Sequence, residues 1–166
     1  MNASIKTLAE VTICIVVVAF ILVLSYQPYP LITYSDVPFE VIDPGDGYNY
    51  EQRANFTITN ETEWENLWLE LYSGHVPVPE VPTVNFTSEM LIAVFQGERG
   101  SSGYLTNITR IIMTDSYYVV YVDETHPGED CILLTVMTYP YQIVKISDPL
   151  NLPIRFVYNI IIHECE

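Results

Sequence analysis

"MLIAVFQGERGSSGYLTNITRIIM" (Met90–Met113) decides how this chain folds. Its first seven residues, Met90–Gln96, are a continuous apolar run too short for a core helix and closed by glycine. Such a run predicts a strand covered on both faces. Three glycines and two serines follow, and then "YLTNITRIIM" (Tyr104–Met113) reads as a second strand. Working outward, "TDS" makes a turn, and "YYVVYVD" (Tyr117–Asp123) returns as the hairpin partner. "CILLTVMT" (Cys131–Thr138), "YQIVKIS" (Tyr141–Ser147) and "IRFVYNIII" (Ile154–Ile162) complete the set, punctuated by "HPGED", "YPY" and "DPLNLP". Strands at this spacing, with no βαβ alternation, predict a mostly β (α+β) fold. The expected form is an antiparallel sheet, sandwich or partial barrel.

Upstream, "NETEWENLWLELYSG" (Asn60–Gly74) is a clear amphipathic helix that would cover one face. Trp64, Leu67, Trp68 and Leu71 fall at i, i+3, i+4 and i+7 and make one apolar stripe. Asn60 with Glu63, or Thr62 with Glu65, offers a capping box, and Gly74 is placed to supply a left-handed C-terminal residue. The tryptophans at this spacing read as core anchors. "HVPVPEVPTVNF" (His75–Phe86) has too many prolines for a central strand and reads as an extended connection.

The N-terminus has a different character. No charge occurs between Glu10 and Asp36, and "VTICIVVVAFILVLSY" (Val11–Tyr26) is almost wholly apolar. About 20 residues span a bilayer as a helix, and Val11–Pro30 supplies them. We expect a short cytoplasmic N-terminus over 1–10 and a transmembrane anchor, or a cleaved signal peptide, over 11–30. A Pro-rich stalk and lead-in over 31–50 and an extracytoplasmic domain over 51–166 complete the expectation. The anchor makes membrane lipid a partner of Val11–Pro30 and places the domain outside the cytoplasm, on a single-pass protein.

Three features agree with that location. Five N-x-S/T sequons occur where chance gives about one, and Asn55, Asn60, Asn85 and Asn107 lie on the exported side with Asn2 before it. These four are the candidate glycosylation sites. Cys131 and Cys165 are the thiols beyond the anchor, and an even pair in an oxidising compartment predicts a disulfide. Cys14 lies inside the apolar segment and acts there as a small hydrophobe. The chain carries a net charge of −15; Lys6 and Glu10 are the only charges before Val11, leaving 20 acids and 5 bases after it. That balance excludes nucleic acid and anionic lipid surfaces as partners, since both need clustered Lys or Arg.

The glycine-rich loop fits no catalytic template. Gly97, Gly100 and Gly103 have no Lys after them, and a strand follows where a phosphate-binding loop would open a helix. Ser102 has Gly100 before it, but Tyr104 stands where a nucleophile elbow needs glycine. His75, His126 and His163 sit in no recognisable triad context. "DPGDGYNYE" (Asp43–Glu51) and "DETHPGED" (Asp123–Asp130) are acidic but lack the alternating acids of a calcium loop, so they read as solvated loops and His126 as a turn residue. We therefore expect no catalytic residue, no metal and no cofactor.

The order of features resembles the C-terminal domain family of the protease-complex subunit PrcB. "GDGYNYEQR" (Gly45–Arg53), "WENLW" (Trp64–Trp68), "PEVPTVNF" (Pro79–Phe86), Leu91–Tyr104, "HPGEDCILLTVMTYPYQIVKI" (His126–Ile146) and "IRFVYNIIIHEC" (Ile154–Cys165) match its features in collinear order. Two positions depart: "RGSSGY" replaces R-P-T-G-G-Y, and "VNF" replaces V-D-F, which creates the Asn85 sequon. The resemblance implies a non-catalytic module that supports a surface protease complex. The loop itself reads first as a glycine-permitted bend between two strands; the sharper reading makes Glu98, Arg99, Gly100, Ser101, Ser102, Gly103 and Tyr104 a partner-binding edge, since loops on rigid sheets often carry binding. In shape the loop is also similar to that of chagasin-like cysteine-protease inhibitors. Inhibition through Gln96–Tyr104 is therefore the alternative, with surface-layer attachment a third.

Overall fold

The computed structural model describes residues 33–43 and 50–165. The 1–10 segment, the Val11–Pro30 anchor, Asn2 and Cys14 lie outside the described residues. Among the described residues no helix is long and apolar enough to cross a membrane. The elements are β1 (Tyr34–Asp36), β2 (Phe39–Asp43), β3 (Ala54–Ile58), α1 (Glu61–Leu71), β4 (Glu89–Phe95), β5 (Leu105–Thr114), β6 (Tyr118–Pro127), β7 (Tyr141–Ser147) and β8 (Ile154–His163). One sheet has the order β1-β5-β6-β8 and the other β2-β7-β4-β3.

Strand parity builds three layers. In β4, Leu91, Ala93 and Phe95 join Trp64, Leu67, Trp68 and Leu71 of α1 in one core. Met90, Ile92 and Val94 face the opposite way, against Ile108, Val120 and Val122 of the other sheet. β4 is therefore buried on both faces, as its unbroken apolar run requires. β7 divides likewise, with Tyr141 and Ile143 toward the helix and Val144 and Ile146 toward the second sheet. The β2-β7-β4-β3 sheet is thus the middle layer, and the architecture is an open two-sheet sandwich with one covering helix.

The helix begins where its cap dictates: Asn60 Oδ1 accepts from Glu63 N at 2.9 Å. It ends earlier than its glycine suggested. Tyr72 is the C-cap, and among the described residues the positive-φ glycines are Gly97 and Gly103, so Gly74 is not the left-handed terminator. Trp64 and Trp68 indoles donate to Pro82 O at 2.8 Å and Pro79 O at 3.0 Å. These bonds fasten the Pro-rich 75–86 connection along the helix. That segment forms no strand, in agreement with its prolines.

Three expectations need correction. The sheets are not wholly antiparallel: β8 runs parallel to β6 over all ten residues. After β6 the chain crosses to the other sheet, adds β7 and crosses back, and a parallel pair requires such an excursion. The stretch expected as stalk supplies two strands at the sheets' edges, Tyr34–Asp36 on β5 and Phe39–Asp43 on β7. Their short length and prolines hid them. Residues 131–138, read as a strand, lie outside both sheets, and Leu134 and Thr138 bond to the glycine-rich loop instead.

Candidate functional site

The glycine-rich loop begins as Gln96 N donates to Pro140 O at 2.9 Å. Gly97 then takes φ +85°, and a Cβ there would lie 3.0 Å from both Arg53 N and Glu51 O. Only glycine permits that approach. Glu98 N donates to Glu51 O at 2.9 Å, which closes the loop onto the start of β3. Gly103, at φ +94°, turns the chain into β5 and leaves room for Leu133 and Pro127.

Between the two glycines the loop is braced. Arg99 N donates to Thr138 O at 2.8 Å, and Thr138 N returns to Arg99 O at 2.9 Å. Ser102 N donates to Leu134 O, while Leu134 N donates to Ser102 Oγ, both at 3.0 Å. Thr138 Oγ1 donates to Ser101 O at 2.9 Å, and Tyr139 Oη to Glu98 Oε2 at 3.1 Å. Glu98, Gly100 and Gly103 are exposed; Arg99, Ser101, Ser102 and Tyr104 are half-buried.

The brace itself carries exposed apolar side chains. Ile132 is fully exposed, Leu134 is 73 % exposed, and Val136 and Met137 are about half exposed. This segment is anchored at its start by the Cys131–Cys165 disulfide, which ties it to the chain end just beyond β8. An apolar run held off the core in this way presents side chains that the core does not use.

Beneath the loop lies a polar cluster that sequence reasoning missed. Glu124 is fully buried and paired with Arg53, whose side chain is 44 % exposed. His126 Nε2 lies 3.9 Å from Glu124 Oε2, and its ring sits 5.2 Å from that of Tyr104. The Arg99 guanidinium lies 5.4 Å from the centre of the Tyr104 ring. Arg53 covers the ring of Tyr158 at 4.7 Å, and burial raises that phenol's pKa. The sequence places Glu124 in a solvated loop and His126 in a turn; the structure corrects both. Both belong to β6, which continues to Pro127. The available signal was parity: Tyr118, Val120 and Val122 face inward, and Glu124 follows them.

The other acidic stretch holds Asp43, which is buried and accepts from Tyr72 Oη at 2.6 Å and Tyr141 Oη at 2.8 Å. Burial, with the neighbouring Tyr72 and Asp43, pushes the Tyr141 phenol far up. Among the described residues no group of three or more His, Cys, Asp or Glu side chains converges as metal ligands. Ser102 Oγ is engaged by the Leu134 amide.

The sequon asparagines Asn55, Asn60, Asn85 and Asn107 are all exposed. Asn60 accepts through Oδ1 as the helix cap, and Thr87 Oγ1 donates to Asn85 Oδ1 at 2.6 Å. In both cases the amide nitrogen, the atom a glycan would modify, is not the bonded one.

No curated protein and no solved structure matches the chain. A family model described as PrcB C-terminal matches residues 90–147. The match takes in two of the motifs quoted above, 91–104 and 126–146, and leaves the helix, the Pro-rich connection and β8 outside it. From β4 through the braced loop to the end of β7, this chain is similar to the PrcB C-terminal family.

Proposed function

We propose that this chain is a membrane-anchored, extracytoplasmic, non-catalytic accessory module that docks a protein of a surface protease complex. The observation that carries the proposal is the rigid apolar display of Ile132, Leu134, Val136 and Met137 on a segment braced by the Arg99–Ser102 loop. Four exposed apolar side chains on a pre-ordered segment suit a protein partner, because little ordering entropy is lost on docking. The similarity to the PrcB C-terminal family supplies the class of partner. The anchor rests on Val11–Pro30. The disulfide supports an oxidising location, and the exposed sequons agree with glycosylation there.

Affinity capture of the full chain from its own membranes is expected to recover a protease subunit in stoichiometric amount. The variant Leu134→Asp/Val136→Asp alters only exposed positions and should lose that subunit while unfolding at the same denaturant midpoint. Recovery of the protease by both proteins would reject this face. A second reading, protease inhibition, is favoured by the rigidity of Gln96–Tyr104. It predicts that the purified full chain slows a cysteine or serine protease, and that Glu98→Ala/Arg99→Ala weakens the effect.

A further inference from the structure

α1 does not cover the whole of the middle sheet. Between the helix and β3 a groove of about 380 Å³ remains open, and none of its lining residues belongs to the braced loop's apolar display. Its floor is apolar, made by Tyr50, Phe56, Ile58 and Leu67. Thr57 lines it as well. Phe56 and Ile58 face the helix layer, so Thr57 points to the other face of the strand. A groove that meets three consecutive residues of alternating orientation must border the strand's backbone edge. Among the described residues β3 pairs with β4 alone, so no described strand takes up the outward half of its N–H and C=O groups, the edge at which strand addition occurs.

The rim carries a charge that names its ligand. Glu63 and Glu70 both line the groove and both are exposed. They lie seven residues apart, two helical turns, which places them on one face about 10 Å from each other. Among the described residues no base lines the groove, and Tyr50 on its floor has its phenol pKa raised by burial and by Glu70. In an extended peptide, side chains at i, i+2 and i+4 share a face, with about 13 Å between the outer two. An apolar side chain at the centre would fill the groove, and Lys or Arg two positions to either side would reach both carboxylates.

We infer that the α1–β3 groove binds an extended segment of a partner protein by strand addition to β3, selecting an apolar residue flanked at two positions by bases. Main-chain hydrogen bonds to β3 supply affinity, and the groove and its two glutamates supply selectivity. This chain is a poor source of the segment. Residues 44–49, which immediately precede Tyr50, carry Asp46 and no base, and the chain as a whole is at −15.

The test uses the isotope-labelled full chain in detergent micelles and the peptide acetyl-KTITK-amide, with acetyl-ETITE-amide as its counterpart. The Lys peptide is expected to shift the amide signals of Thr57, Ile58 and Leu67, and to bind at least about tenfold tighter than the Glu peptide at low salt. The exchange Glu63→Lys/Glu70→Lys should invert that preference. N-methylation of the peptide backbone on its strand-pairing side should weaken binding by about tenfold, since the edge hydrogen bonds are lost. Equal affinity for the two peptides, shifts confined to residues 96–104 or 131–138, or indifference to N-methylation would each overturn the inference. So would contacts between residues 44–49 and Leu67 in the free protein, or groove shifts that track protein concentration, since these assign the groove to the chain itself or to a second copy.

Discussion

Gly97 and Gly100 sit three residues apart in one loop, yet they face different physical demands. Gly97 has positive φ and a backbone neighbour 3.0 Å from where a Cβ would stand, whereas Gly100 has nothing within 4 Å. Gly97→Ala should therefore cost about 2 kcal/mol or more, from strain and displaced backbone. Gly100→Ala should be within about 0.5 kcal/mol of neutral. Urea midpoints at unchanged slope would report the difference, and equal midpoints would refute the tight approach of the loop to β3. Arginines diverge in the same way. Arg53→Ala strands the fully buried Glu124 carboxylate and should destabilise by about 2–3 kcal/mol, less than a fully buried pair would cost because Arg53 keeps 44 % of its side chain in solvent. Arg110 pairs with the exposed Asp36, and Arg110→Ala should shift the midpoint far less, since an exposed pair is solvated whether or not it forms.

At the level of elements, the expectations that hold rest on local patterns, and most that fail depend on distant partners; the Gly74 terminator and the parity of Glu124 are the local exceptions. The α1 stripe, its Asn60 cap and the two-sided burial of β4 follow from patterns within a dozen residues. The Cys131–Cys165 bridge follows from there being one pair to make. By contrast, 131–138 has the composition of a strand, and nothing in "CILLTVMT" records that both sheets are filled without it. β5 shows a smaller case: Ile108 and Ile111 both face the core because a bulge between Ile108 and Arg110 resets the alternation. The bridge closes a sequence separation of 34 residues, and the loop it closes should contribute about 3–4 kcal/mol, chiefly through the unfolded chain. Cys131→Ser/Cys165→Ser is thus expected to lower the unfolding midpoint. It should also free the 131–138 segment at its start, which faster amide exchange at Leu134 and Val136, both bonded here, would reveal. Unchanged exchange at those amides would mean that the Ser102 and Thr138 bonds hold the segment unaided.

Across the whole molecule, the middle sheet organises both cores, and its outer part is tied by charge. Lys145 of β7 lies 3.0 Å from Glu89 of β4 and 3.2 Å from Glu40 of β2, so one cation links three adjacent strands. This cross-link was invisible in the sequence, because Glu40, Glu89 and Lys145 meet only once the strand order is known. The Asn85 amide holds the Glu89 carboxyl below its ordinary value of 4.5, and Lys145 adds to the effect. Glu89 and Glu40 in turn hold the Lys145 amine above 10.5. A depressed carboxyl stabilises the fold above its unfolded value and loses that contribution as pH falls through the folded one. The raised amine contributes below 10.5 and loses its part as pH climbs past that. The linkage is therefore complete between these limits and fails first in acid, below pH 4.5. Acidification also neutralises much of the −15 charge, which relieves repulsion and acts in the opposite direction, so the natural chain alone would not separate the two effects. The difference in unfolding free energy between it and Glu89→Gln does, because the general charge effect is nearly common to both. That difference should be flat from about pH 5.5 to 9 and shrink steadily below 4.5 as Glu89 protonates in the natural chain. A difference that stays constant down to pH 3 would show that the carboxylate of Glu89 contributes nothing its amide cannot.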